Sequence, residues 1–288
     1  MPLYRLRDPT DALIAPAIVA AFDGWIDAGG ASTRAAEHLA GEAGPLVTFT
    51  CDLLYDYRSR RPVLDIVDGR LTELTWPEVS LRLIRLGGRD VLVLSGAEPD
   101  FRWRELGSDL LELALRLGVV EWISLGAIPA AVPHTRPVPI LATASKAGLL
   151  HPDEQVGPQG LLRVPAAALS TLEHTVAAGG IPAVGFFAQV PHYVGGSYVS
   201  ATIGLLEHLT RHLGVEASMG SLPDEALAQR ERIDAAVAAD EDSRTYLARL
   251  ETAVDNQEVP TGDELVSEIE RFLQQREGGG SQGPGPLA

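Results

Sequence analysis

The residues best able to do chemistry fall in five short clusters, and the densest runs from Phe22 to Thr33. It carries Asp23, Gly24, Trp25, Asp27, Gly29 and Gly30 between an apolar run and an amphipathic one. That places the cluster at the carboxyl end of a predicted strand, where α/β proteins build ligand sites. Its glycines allow close backbone approach, and the helix that follows offers free amides to an anion. The two aspartates oppose a phosphate, and the G-x-G-x-x-G spacing is absent. Two readings stay open: a functional loop, or a turn whose aspartates cap a helix.

The second cluster, Asp56 to Pro62, includes Tyr57 and Arg58 and is the most basic stretch of the chain. A solvated loop explains it as well as a site does. The third, Gly96 to Trp103, places Glu98 and Asp100 at another strand end, with Asp100 expected as a helix N-cap. The fourth follows a strand at Leu125 and displays His134, Thr135 and Arg136 among prolines 129, 133, 137 and 139. The fifth, Val190 to Gly196, repeats the Pro-His pair with His192 and Tyr193. The two Pro-His pairs either face one cleft or serve as rigid corners whose rings satisfy backbone carbonyls.

Stronger signatures are missing. Gly195-Gly-Ser197-Tyr-Val199 lacks the second glycine of a nucleophile elbow. His208 and His212 have helical spacing without the H-E-x-x-H pattern, so a solvated helix face is expected and no metal site. Lys146 is the only lysine and lies outside any Gly-rich phosphate loop, so no nucleotide cofactor is expected. No catalytic residue is assigned.

These clusters need elements to position them. Short apolar runs alternate with amphipathic stretches through residue 216, the pattern of an α/β body with a mixed sheet and flanking helices. Strands are expected at Ile14–Phe22, Leu46–Cys51, Trp122–Leu125, Val138–Ala142 and Ala183–Gln189. Asp68-Gly69 and Gly87-Gly88-Arg89-Asp90 mark two hairpins. Helices are expected at Ala31–Ala40, Phe101–Leu117, Pro165–Ala177 and Ser200–Leu213. Residues 217–277 read as helices alone: one after Ser221-Leu-Pro-Asp224, one carrying Tyr246, Leu247, Leu250 and Val254, and one from Thr261 to Leu273. Residues 278–288 are Gly- and Pro-rich and expected to be disordered. The apolar stripes of the extension must be buried, either on the body or at a subunit interface, and an oligomer is expected.

Composition narrows the partners. The 288 residues carry a formal charge of −16, with 39 acids against 23 bases. Residues 217–288 hold 15 of those acids and 6 bases, so more than half of the net charge lies in a quarter of the chain. Such a chain repels nucleic acid and anionic membrane surfaces. One cysteine, Cys51, leaves no internal disulfide, and no apolar run is long enough to span a bilayer. A cytoplasmic protein is expected.

Taken in order, these clusters resemble the proteasome assembly chaperone two family in its actinobacterial-type branch. The resemblance rests on Phe22 through Gly30, Tyr57-Arg58, Gly96 through Asp100 with Trp103, Gly126 through Arg136, and Val190 through Tyr193. It extends to Val259 through Asp263 and Glu270 through Phe272. It implies a body related to the phosphorylase/nucleosidase fold, a helical extension, and self-association, with a homotrimer as the state to test. It also implies a non-enzymatic chaperone whose partners are proteasome α subunits. The chain departs by ending Gly285-Pro-Leu-Ala288, without the penultimate Tyr by which some archaeal relatives dock. The alternative is a nucleosidase-like binder or enzyme whose cleft is lined by Asp23, Asp27, His134, Arg136 and His192.

Overall fold

Six consecutive apolar residues, Ala17 to Phe22, are buried on both sides, which only a strand flanked by strands and covered on both faces allows. A computed structural model describes residues 2–7, 12–157 and 160–256. The strands run in order β1 (Tyr4–Leu6), β2 (Ala17–Phe22), β3 (Pro45–Phe49), β4 (Val63–Val67), β5 (Arg70–Thr75) and β6 (Val79–Leu86). They continue with β7 (Arg89–Gly96), β8 (Glu121–Ala130), β9 (Ile140–Ala144), β10 (Gln155–Val156) and β11 (Ala183–Pro191). The helices are α1 (Ala31–Ala40), α2 (Cys51–Leu54), α3 (Trp103–Arg116), α4 (Ala168–Ala178), α5 (Val199–Leu213), α6 (Leu222–Ala238) and α7 (Glu241–Asp255).

Nine strands form one mixed sheet in the order β1-β3-β6-β7-β2-β8-β11-β9-β10. The central four, β7-β2-β8-β11, are parallel. Side-chain alternation splits the core into two layers. Ala17, Val19 and Ala21 face α1 and α5, whereas Ile18, Ala20 and Phe22 face α3 and α4. On α3 the stripe Leu106, Leu110 and Leu113 is wholly buried, each side chain contributing about 1.5–3 kcal/mol. Because β2 leads into α1 on one face and the adjacent β7 into α3 on the other, their carboxyl ends form a topological switch point. Among the described residues no helix is long and apolar enough to cross a membrane.

Several expected elements shift. The strand expected from Ile14 begins at Ala17; Ile14 is exposed and donates its N–H to Asp90. Cys51 belongs to the short α2 and not to the preceding strand. The strand expected at Trp122–Leu125 continues through Pro129 to Ala130, because β11 pairs with it along its whole length. The helix expected from Pro165 starts at Ala168. Asp100 does not cap α3: Arg102 holds that position in a left-handed conformation, and Asp100 instead accepts from Asp56 N at 2.8 Å. His208 and His212 do not form a solvated face. His212 packs edge-on to Phe186 and bonds Glu121 at 3.1 Å, while His208 bonds the Gly204 carbonyl. The helix expected at Thr261–Leu273, the tail 278–288 and the two late motif pieces lie outside the described residues.

Both hairpins form. The β4–β5 hairpin turns at Asp68-Gly69, stands apart as its own two-stranded sheet, and every residue of its strands is exposed.

Candidate functional site

At the switch point β2 hands its direction to Asp23, whose N–H bonds the Gly96 carbonyl at 3.1 Å. Both carboxylate oxygens of Asp23 accept from Arg60 Nη1 at 2.7 Å, and one also accepts from Glu98 N at 2.8 Å. Glu98 then ties two further segments together, accepting from Trp25 N at 3.3 Å and from Ala168 N, the first residue of α4, at 2.7 Å. Burial pushes the Glu98 carboxyl up, and those two amides oppose the shift. Gly24 has φ +103°, and a Cβ there would lie 2.9 Å from Glu98 Oε2, so this approach requires glycine. Nearby, Tyr57 packs its ring edge on Trp76 at 4.7 Å and donates to Asp52 at 2.6 Å. That bond raises the phenol to about 12. Arg58 projects into solvent, with Asp56 at 3.6 Å.

Asp27 belongs to a second network. Its Oδ1 accepts from Ser32 N at 2.8 Å, Ser32 Oγ at 2.7 Å and Thr33 N at 3.3 Å, and its Oδ2 from the Thr33 hydroxyl. The carboxylate therefore occupies the anion site of the α1 N-terminus itself, leaving no exposed amides there for a phosphate. Gly29 and Gly30 take the left-handed turn that enters α1, with Gly29 packed on Tyr198 so that a Cβ would meet that side chain at 2.9 Å.

The third network joins the two Pro-His corners to the extension. The Tyr193 hydroxyl accepts from His134 N at 2.8 Å and lies 2.8 Å from His134 Nδ1. The Asp234 carboxylate of α6 only accepts, so His134 Nε2–H donates to it at 3.0 Å, and Nδ1 of the neutral ring accepts from the Tyr193 hydroxyl. His192 Nδ1 donates to the Ala130 carbonyl at 3.1 Å, which leaves Nε2 to accept from Tyr246 of α7 at 3.2 Å. Thr135 donates to Glu251 at 2.5 Å, and Arg136 grips Asp255 with two nitrogens at 2.9 and 2.8 Å and Glu251 at 3.2 Å. His134 is sealed, its side chain 1% exposed.

The fifteen candidate residues thus fall mostly in three separate networks, with Tyr57 and Arg58 on the surface nearby, and do not line one cleft. Sequence reasoning missed Arg60, Asp52, Asp234, Tyr246, Glu251 and Asp255, the partners that occupy them. The one available signal was the pair Glu251 and Asp255, acids one helical turn apart opposite the lone basic Arg136. Replacing His134 by Ala removes the bridge between Tyr193 and Asp234 and leaves a buried void. A destabilisation of about 3 kcal/mol is expected, with faster protease cleavage in α6 and α7; unchanged cleavage would show the bridge to be idle.

These clusters and the fold that orders them can now be set beside known proteins. Residues 21–237 match the PAC2 family. The chain belongs to the PAC2 family. Among solved structures, a Mycobacterium tuberculosis protein of unknown function, Rv2714, is 33% identical over 93% of this chain and 96% of its own, with a TM-score of 0.85. The M. tuberculosis proteasome-assembly chaperone homologue Rv2125 is 37% identical over 80% of this chain and 99% of its own, with a TM-score of 0.72. The Pyrococcus furiosus archaeal proteasome activator PbaB, at 16% identity over 81% of this chain and 97% of its own, shares the fold with a TM-score of 0.64. No curated protein matches. The PAC2 match takes in all three networks on the body side and α6, and ends before α7, so Tyr246, Glu251 and Asp255 lie beyond it.

Proposed function

We propose that this PAC2 protein is a cytoplasmic, self-associating, non-enzymatic chaperone that acts through protein contacts, with proteasome α subunits as the partner. The observation that carries the self-association is the β4–β5 hairpin. Leu64 pairs with Leu74 and Ile66 with Leu71, so four large apolar side chains share one face. All four are exposed, Leu71 by 71% and Ile66 by 60%. An amphipathic hairpin with its apolar face in solvent is a protein-contact element, and a second copy of the chain is its occupant here.

The internal bonding of Asp23, Asp27, Glu98 and His134 supports binding over catalysis, since each is already engaged within the chain. Solved relatives described as a proteasome-assembly chaperone homologue and a proteasome activator support the choice of partner. Beside the switch point, Asp23, Glu37, Glu42 and Glu78 against Arg82 line a groove of about 590 Å³ with an acidic balance that suits a basic partner surface.

Biosensor titration of purified α subunits at low and moderate salt tests the reading. Micromolar or tighter binding at 50 mM salt that weakens roughly tenfold by 300 mM is expected. Absence of binding at low salt would remove the partner from the proposal.

A further inference from the structure

A separate cavity lies toward the amino ends of β8 and β11, on the face covered by α4 and away from the switch point. Its floor is the ring of Phe187. A Cβ on Gly126 would stand 2.5 Å from Phe187 Cδ1, and one on Gly185 2.7 Å from Cε2. The ring therefore lies across two glycines of neighbouring strands, a position any larger residue would block, and its outer face stays half-exposed. Such a ring is a platform for a flat partner.

Glu173 of α4 forms one wall. Its carboxylate accepts from the Ser124 hydroxyl, which itself accepts from Trp122 Nε1 at 2.8 Å. Ser124 and Trp122 are wholly buried, so the carboxylate is oriented from behind by a fixed chain of donors. That chain uses one of the roughly four acceptor positions of a carboxylate and leaves the others for a ligand. Lys146, the only lysine of the protein, stands with His174 among the residues that line the cavity. The volume, about 610 Å³, falls within the roughly 300–1,000 Å³ of small-molecule sites.

We propose that this cavity binds a small planar ligand that presents adjacent N–H donors to Glu173, stacks on Phe187 and carries an anionic group to Lys146, as a guanine mononucleotide does. Two parallel N–H groups meet a carboxylate in the geometry that makes charge-assisted pairs strong. An ammonium is suited to a phosphate as a point charge. Burial pushes the Glu173 carboxyl up, and ligand N–H groups would stabilise its ionised form. The site is independent of the proposed protein contacts, which use the hairpin and the switch-point groove.

Calorimetric titration of the full-length protein with GMP, guanosine and AMP tests the assignment. GMP is expected to bind, and AMP about tenfold more weakly, because its edge offers one amino group beside an acceptor. Glu173→Gln should weaken GMP and guanosine about tenfold or more, and Lys146→Met should weaken GMP while leaving guanosine unchanged. No binding of GMP or guanosine at millimolar concentration overturns the site. Equal affinity of GMP and AMP, or no loss in Glu173→Gln, overturns the role of the carboxylate. Should Glu173→Gln fail to fold, the exposed Lys146→Met and the three-ligand comparison on the native protein still decide.

Discussion

Gly96→Ala is expected to be the most damaging single-methyl change in the chain. Gly96 has φ +141°, and a Cβ there would lie 2.0 Å from the Glu78 carbonyl oxygen and 2.9 Å from Val79 Cα. Both obstacles are backbone, so no rotamer change relieves them. Relief requires unpairing the end of β6 from β7, where Val79 faces Gly96 in the register. The same residue pairs with Phe22 of β2, and its carbonyl holds the N–H of Asp23, so the displacement reaches the switch point directly. A loss of about 4 kcal/mol is expected, which for a body of this size lowers Tm by roughly 8–16 °C. Gly195→Ala is the matched control: nothing lies within 4 Å of its Cβ position. It should change stability by less than about 0.5 kcal/mol. Calorimetric melting of the two variants beside the parent checks the contrast, and a Gly96→Ala protein as stable as the control would discredit the close approach.

The second large effect concerns assembly. If the β4–β5 face is covered by a second copy, Ile66→Asp with Leu71→Asp places two carboxylates where two apolar side chains were buried. Each loss amounts to about 1.5–3 kcal/mol, so association should weaken on the order of 100-fold or more. Because all residues of both strands are exposed in the single chain, the fold itself should tolerate the change. Light scattering across a concentration series is expected to show the parent as an oligomer and the double variant as a monomer with an unchanged melting curve. An oligomer that persists in the variant would assign the apolar face to some other partner.

How far the sequence could be read depended on the distance over which each feature is determined. Helix α1 was legible to the residue, since the Gly29-Gly30 pair, an alanine-rich stripe and Gly41 mark it locally. The hairpin at Asp68-Gly69 was legible for the same reason: turn chemistry is written in two adjacent residues. Strand β8 runs past its local sequence signal because its last five residues are held by pairing with β11, some sixty positions later. Asp100 looked like a helix cap because it precedes the helix, but a loop more than forty residues earlier competes for its carboxylate. The candidate residues were recognisable as unusual clusters. What they bond to was not, since Asp23 meets Arg60 across 37 positions and Thr135 meets Glu251 across 116. Periodicity carries no information over such separations, and one sequence offers no other guide.

The ring of contacts from His134, Thr135, Arg136 and His192 to α6 and α7 bears on how this chain can be rebuilt. The change in composition after residue 216 looks like a seam at which the acidic helices could be exchanged for those of a relative. The contacts make it a lock with matched halves: an incoming helix without the counterparts of Asp234, Tyr246, Glu251 and Asp255 would strand a sealed imidazole and a guanidinium on the body. Grafts cut at that seam should succeed only when the loops at 133–136 and 191–193 travel with the helices, so the transplantable unit is discontinuous in the chain.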